Sequence, residues 1–140
     1  MGLINSKTNS MNKRYWFIPM LIVAIHALAV VVRWSSLPEL LPAHFDLQGN
    51  AGGTMPRSVL LAYLLIAVAF CLIAYAIAWI KHKLQSGLVI LASGICLVLL
   101  LSTMVTLTSG TMPIFMLAEP VVLLASVIGF VVCVVKSRKR

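Results

Sequence analysis

The chain has 140 residues, of which 61% are hydrophobic and 10% are charged, and its net charge is +8. Soluble domains carry about 25% charged residues, so this composition excludes a soluble globular domain and indicates an integral membrane protein. The positive residues lie at the ends of apolar runs, which is the pattern of membrane topology and argues against a nucleic-acid-binding face.

Residues 1–14 are polar and basic, and we expect a cytoplasmic tail without fixed structure, starting at either Met1 or Met11. The first apolar run, 15–32, would reach roughly 27 Å as a helix, which is enough to cross a bilayer core. This run is longer than the apolar part of a signal peptide, and no small-residue cleavage site follows it. The pattern therefore predicts a helix that is retained in the mature protein.

Three further apolar runs follow, at 58–80, 84–107 and 114–135. The second run is closed by Lys81-His82-Lys83, and a turn signal separates the third run from the fourth. The predicted fold class is an all-α integral membrane protein: one four-transmembrane-helix bundle over 15–135, then a basic cytoplasmic tail at 136–140. Gly87 and Gly94 are expected to form a close-packing face on the third helix.

The distribution of charge predicts how these helices are oriented across the membrane. Lysine and arginine are concentrated in the N-terminal tail, in the short second-to-third loop and in the C-terminal tail, whereas the 33–57 loop is neutral. The positive-inside rule therefore places both termini in the cytoplasm and the 33–57 loop outside the cell.

The loop contains the most informative stretch, LPELLPAHFDLQGNAGGTMPR at 37–57. Pro38 and Pro42 disfavour a helix here. The alternation over 43–47 suits a short extended piece, and the Gly and Asn residues of 48–53 indicate a turn. We therefore predict a long irregular extracytoplasmic loop between the first and second helices.

The order of a first span, LP…LPxHFxxxG and a second span resembles the DUF1648 domain, the N-terminal part of the SdpI family of bacterial membrane proteins. The resemblance covers about 15–80 and is carried by Leu37, Pro38, Pro42, His44, Phe45 and Gly49. Characterised SdpI proteins act in immunity to a secreted peptide toxin and signal its presence to a membrane-tethered repressor. The resemblance thus implies a multi-pass protein of the bacterial cytoplasmic membrane with such a role.

Two interpretations of the loop stay open. In the functional one, an extracellular ligand or peptide contacts Pro42, His44, Phe45, Asp46, Gly49 and Asn50. In the structural one, Phe45 and Leu47 plug the space between helices while His44 and Asp46 bond the loop backbone. His44 and Asp46 alone fall short of a zinc ligand set, so we predict no metal and no cofactor.

Glu119 lies inside the fourth apolar run, and an acid within a span marks a functional site by default. Depth along the helices places His26, Ser102 and Thr103 at a matching level. We predict an intramembrane polar cluster of these four residues. It would be a packing cluster, a ligand or signalling site, or a proton- or cation-coupled site as in small four-span multidrug transporters.

We predict that the protein is not an enzyme. The sequence shows neither a nucleophile with a general base at a spacing typical of catalysis nor a phosphate-binding loop. Cys71, Cys96 and Cys133 lie inside apolar runs and are expected to be small buried hydrophobes.

The predicted function is non-enzymatic sensing of, or immunity to, an extracellular peptide or envelope stress. The expected partners are the lipid bilayer, an extracellular peptide and a cytoplasmic or membrane-tethered regulator, without nucleic acid. The alternatives are a small transporter using Glu119 and a structural subunit of a membrane complex. The sequence leaves the ligand and the oligomeric state open.

Overall fold

The computed structural model describes residues 14–46, 48, 50–108 and 113–138. It has four helices that are long and apolar enough to cross a membrane, which confirms the four predicted helices and fits a multi-pass membrane protein. Their bounds are Phe17–Arg33 (α1), Ser58–Ile80 (α2), Gln85–Leu107 (α3) and Pro113–Arg138 (α4). The predicted tail at 1–14 lies outside the described residues except for Arg14.

Proline and short turns mark several helix boundaries. Pro19 lies in the first turn of α1 and Pro113 begins α4, where a missing N–H costs no helical hydrogen bond. After Ile80, Lys81 leaves helical geometry, and the 3-10 turn His82–Leu84 leads directly into α3. This short connection makes α2 and α3 antiparallel neighbours.

Helix α3 lies at the centre of the molecule and packs against α1, α2 and α4. In the apolar 18-residue stretch of α3 that could cross a membrane, 39% of the residues are buried, against 6% in the corresponding stretch of α4. Helix α4 packs mainly against α3 and presents apolar side chains such as Leu117, Val121 and Leu124 outward. The predicted bundle is therefore unequal, with α4 attached to one side of a core of three helices.

Small residues bring α3 and α4 close together. Gly87 faces Phe130 and Cys133, and Gly94 lies directly against the side chain of Ser126. These contacts run in opposite directions along the two helices, so α3 and α4 are antiparallel. They also confirm the expectation that Gly87 and Gly94 form a close-packing face.

The connection between α1 and α2 is a β-hairpin, so the prediction of an irregular loop is wrong. Strand β1, Leu40–Phe45, pairs antiparallel with strand β2, Ala51–Pro56. The predicted extended piece is confirmed over 43–45, but 51–53 belong to β2 and not to the turn. Pairing between the two strands satisfies backbone groups that an irregular loop would leave to water.

The hairpin is docked on the helix ends through Leu41, which is 3% exposed and packs with Val30 of α1 and Leu60 of α2. Half-buried side chains surround this contact, namely Trp34, Leu37, Met55, Tyr63 and Leu107. Phe45, which was suggested as a plug, is half-buried nearer the tip and does not belong to this cluster, so its role as a plug stays a prediction. Leu47, its suggested companion, lies outside the described residues.

Candidate functional site

The turn of the hairpin is organised by the carboxylate of Asp46. Its Oδ1 accepts the backbone N–H groups of Gln48 at 2.9 Å and Asn50 at 2.8 Å. Its Oδ2 accepts the side-chain amide of Asn50 at 2.9 Å, and the Asp46 N–H donates to the Asn50 carbonyl at 3.0 Å. Short polar side chains stabilise turns in this way, so Asp46 and Asn50 shape the tip of the hairpin.

His44 and Gly52 are cross-strand partners in the ladder. A Cβ atom placed on Gly52 would collide with the imidazole of His44, so the ring lies over the glycine. The next residue, Gly53, has φ 66°, a left-handed conformation that favours glycine. His44 itself is exposed, as a residue that contacts a ligand must be. Pro42 is half-buried opposite Thr54.

The sheet has two strands within the described part of the chain. Each strand therefore has one edge whose N–H and C=O groups lack a strand partner, and such edges are templates for pairing with another chain. The outer part of the hairpin is exposed at Ala43, His44, Ala51 and Thr54. Gly49, the remaining predicted contact residue, lies outside the described residues.

Arg57 fixes the base of the hairpin. Its guanidinium carbon lies 5.0 Å from the centroid of the Trp34 ring, and its Nη1 donates to the carbonyl of Leu37 at 3.4 Å. Its backbone N–H donates to the carbonyl of Glu39 at 2.9 Å. A cation over an aromatic face adds electrostatic attraction to these bonds. The hairpin is thus held at both ends, by Arg57 at the base and by Asp46 at the tip.

The second group of predicted site residues lies among the helices. His26 of α1 is 0% exposed, and its Nε2 lies 2.8 Å from Oγ1 of Thr103 on α3. The Thr103 hydroxyl also donates to the carbonyl of Leu99 at 3.0 Å. Because a hydroxyl has one hydrogen to donate, Nε2–H of His26 is the donor to Thr103. Nδ1 then carries a lone pair, and no described group bonds it.

Glu119 of α4 is half-buried, and its carboxyl group lies near the hydroxyl group of Ser102 on α3. Ser102 and Thr103 are adjacent, so their side chains point about 100° apart around the helix. The structure therefore brings the four predicted residues to one level of α3 as two pairs, His26 with Thr103 and Ser102 with Glu119. A function of these four residues beyond packing stays a prediction.

One contact was missed by sequence reasoning. The sulfur atoms of Cys71 on α2 and Cys96 on α3 lie 3.2 Å apart, in buried surroundings. The two residues are 25 positions apart and belong to different apolar runs, so no local spacing could indicate the contact. Among the described residues, no group of three or more His, Cys, Asp or Glu side chains could hold a metal ion.

Comparison with protein families matches residues 20–70 to DUF1648, described as a domain of unknown function. The matched segment runs from Met20 in α1, through the hairpin, to Phe70 in α2. Comparisons with curated proteins and with solved structures gave no match. The hairpin, most of α1 and the first half of α2 are therefore similar to the DUF1648 domain.

Proposed function

We propose that this chain recognises an extended extracellular peptide through the hairpin and that this recognition serves sensing of, or immunity to, that peptide without enzymatic chemistry. The observation that carries the proposal is the hairpin itself, a two-stranded ribbon with open edges fixed on the helix ends. A DUF1648 domain and four apolar helices fit a membrane protein whose function is open.

An open strand edge suits peptide recognition because an added strand gains main-chain hydrogen bonds along its whole length. Alternate side chains of the peptide would meet the exposed residues of the ribbon, such as His44 and Thr54. The bonds of Asp46 at the tip and of Arg57 at the base hold the ribbon in place before binding. Such preorganisation lowers the ordering cost of association.

Charge supports an extracellular hairpin. The helix ends opposite the hairpin carry Lys81, Lys83, Lys136 and Arg138, and basic residues concentrate on the cytoplasmic side of a membrane. Both termini would then be cytoplasmic, as expected for a multi-pass protein of the bacterial cytoplasmic membrane similar to SdpI proteins. Leu41 connects the ribbon to α1 and α2, which gives peptide binding a route to a cytoplasmic or membrane-tethered regulator.

The test is site-specific photo-cross-linking in native membranes. A photoreactive residue at Ala43 or at Thr54, both exposed on the ribbon, should capture a secreted peptide that mass spectrometry then identifies. The matched control is Ala76, which is exposed on the apolar surface of α2 and should capture lipid or neighbouring helices instead. Capture of the same molecules from all three positions, or of no peptide from the ribbon, would contradict peptide recognition.

A second candidate function, a small proton- or cation-coupled transporter, is favoured by the half-buried carboxyl group of Glu119, which lies inside a candidate membrane span near Ser102. Carboxylates within membrane helices are costly and characteristically belong to ion or proton pathways. The neighbouring His26–Thr103 pair adds a buried base at the same level of α3.

This transport activity would be abolished by Glu119→Gln, because glutamine keeps the shape of the side chain but cannot exchange a proton. The measurement is proton entry into liposomes after a pH step, followed with a trapped pH-sensitive dye. Glu39→Gln is the control, since it makes the same chemical change at an exposed acid beside the hairpin. If wild type and Glu119→Gln admit protons at equal rates, coupling through Glu119 is wrong.

A further inference from the structure

Cys71 and Cys96 form a contact that the proposed function does not use. Their Sγ atoms lie 3.2 Å apart across the interface of α2 and α3. The two residues are free thiols with 5% and 0% of their surface exposed. The Sγ of Cys96 also lies 3.8 Å from the carbonyl oxygen of Ala67, so both sulfurs belong to the packed helix interface.

We propose that this cysteine pair, Cys71 and Cys96, is an oxidation site at which a disulfide joins α2 to α3. A disulfide needs sulfur atoms at about 2.05 Å, so the thiols at 3.2 Å must approach by about 1.2 Å. Rotation of the two short side chains can supply such a movement, because a single rotatable bond, Cα–Cβ, sets the position of each sulfur relative to its helix.

The surroundings of the pair select the oxidant. Apolar residues enclose it, namely Ala67, Ile22, Val23 and Leu99, and both cysteines lie near the middle of their helices. Water-soluble oxidants do not partition into the apolar layer that surrounds the middle of these helices, whereas a quinone dissolved in the bilayer does. The two S–H bonds break and one S–S bond forms, and the quinone takes up both protons and both electrons to become a hydroquinone.

The third cysteine provides an internal reference. Cys133 lies on α4, is half-buried and packs against Gly87 of α3, beside neither of the paired cysteines. A lipid-soluble oxidant should therefore consume the thiols of Cys71 and Cys96 and leave the thiol of Cys133 reactive.

The experiment uses the full chain in liposomes, treated with a fully substituted benzoquinone, which cannot add to thiols. The protein is then denatured and alkylated with a maleimide, and the attached groups are counted by mass spectrometry. Wild type contains three cysteines, so all should be alkylated before oxidation and Cys133 alone afterwards. Ferricyanide, an ion that stays in water, should leave all of them reactive.

Three variants complete the test. Cys71→Ser and Cys96→Ser should keep both remaining thiols after quinone treatment, and Cys133→Ser should lose both of its thiols. Cys133→Ser leaves the pair itself untouched, so the test stands even if a substitution at the interface impairs folding. The proposal is overturned if the pair survives the quinone in wild type and in Cys133→Ser. It is also overturned if ferricyanide consumes the thiols of the pair as readily as the quinone does.

Discussion

Replacing Gly94 with alanine should separate α3 from α4. The added Cβ would collide with both the Oγ and the Cβ of Ser126, and these atoms belong to a short side chain that has little room to move. Overpacking of this kind typically costs about 1–3 kcal/mol. The effect should be large for α4, because α4 has few contacts with other helices that could hold it in place.

The free energy of unfolding, measured by detergent titration of the purified protein, checks this expectation. Ser126→Gly should restore most of the loss in a Gly94→Ala background, because it removes the two colliding atoms. Gly129→Ala is a graded control, since its Cβ would meet the γ2 methyl group of Ile90 at 3.0 Å, a milder approach that should cost less. Equal stability of wild type and Gly94→Ala, or failure of the rescue, would show that the two helices are not in this close contact.

Thr103→Val should destabilise the protein by about 1–3 kcal/mol, the usual cost of a buried donor without an acceptor. The substitution removes the hydroxyl to which Nε2–H of His26 donates. His26 is 0% exposed and its Nδ1 already has no described partner, so the imidazole would retain no hydrogen bond to the described residues.

A double-mutant cycle separates this loss from packing. His26→Leu with Thr103→Val replaces both partners by apolar side chains, which can be nearly neutral. The double variant should therefore be more stable than Thr103→Val alone, a sign of coupling that independent sites do not show. Unfolding in detergent provides the measurement, and additive effects of the two substitutions would contradict the hydrogen bond.

The helices could be predicted from the sequence because apolar run length and flanking charge are local properties. The hairpin could not, because its strands have poor strand propensity: β1 contains Pro42, and β2 contains Gly52, Gly53 and Pro56. The hairpin is stabilised by non-local contacts, above all by the packing of Leu41 on the ends of the helices. Local residue preferences therefore indicated a loop where the tertiary contacts made a ribbon.

The same distinction applies to the candidate site. Depth along each helix placed His26, Ser102, Thr103 and Glu119 at one level, since a bilayer aligns helix ends. Which residues pair depends on how each helix is rotated about its axis, and the weak helical periodicity of continuous apolar runs does not specify that. The contact between Cys71 and Cys96 depends on rotation in the same way.

The one-sided attachment of α4 also bears on how the protein is made. The ribosome delivers α1, the hairpin, α2 and α3 before α4, and the contacts of Leu41, of Cys71 with Cys96 and of His26 with Thr103 lie among these earlier elements. Membrane insertion can therefore assemble α1, the hairpin and α2 on α3 while α4 is still being translated. Addition of α4 along the seam of Gly87 and Gly94 is then a separate, later docking step.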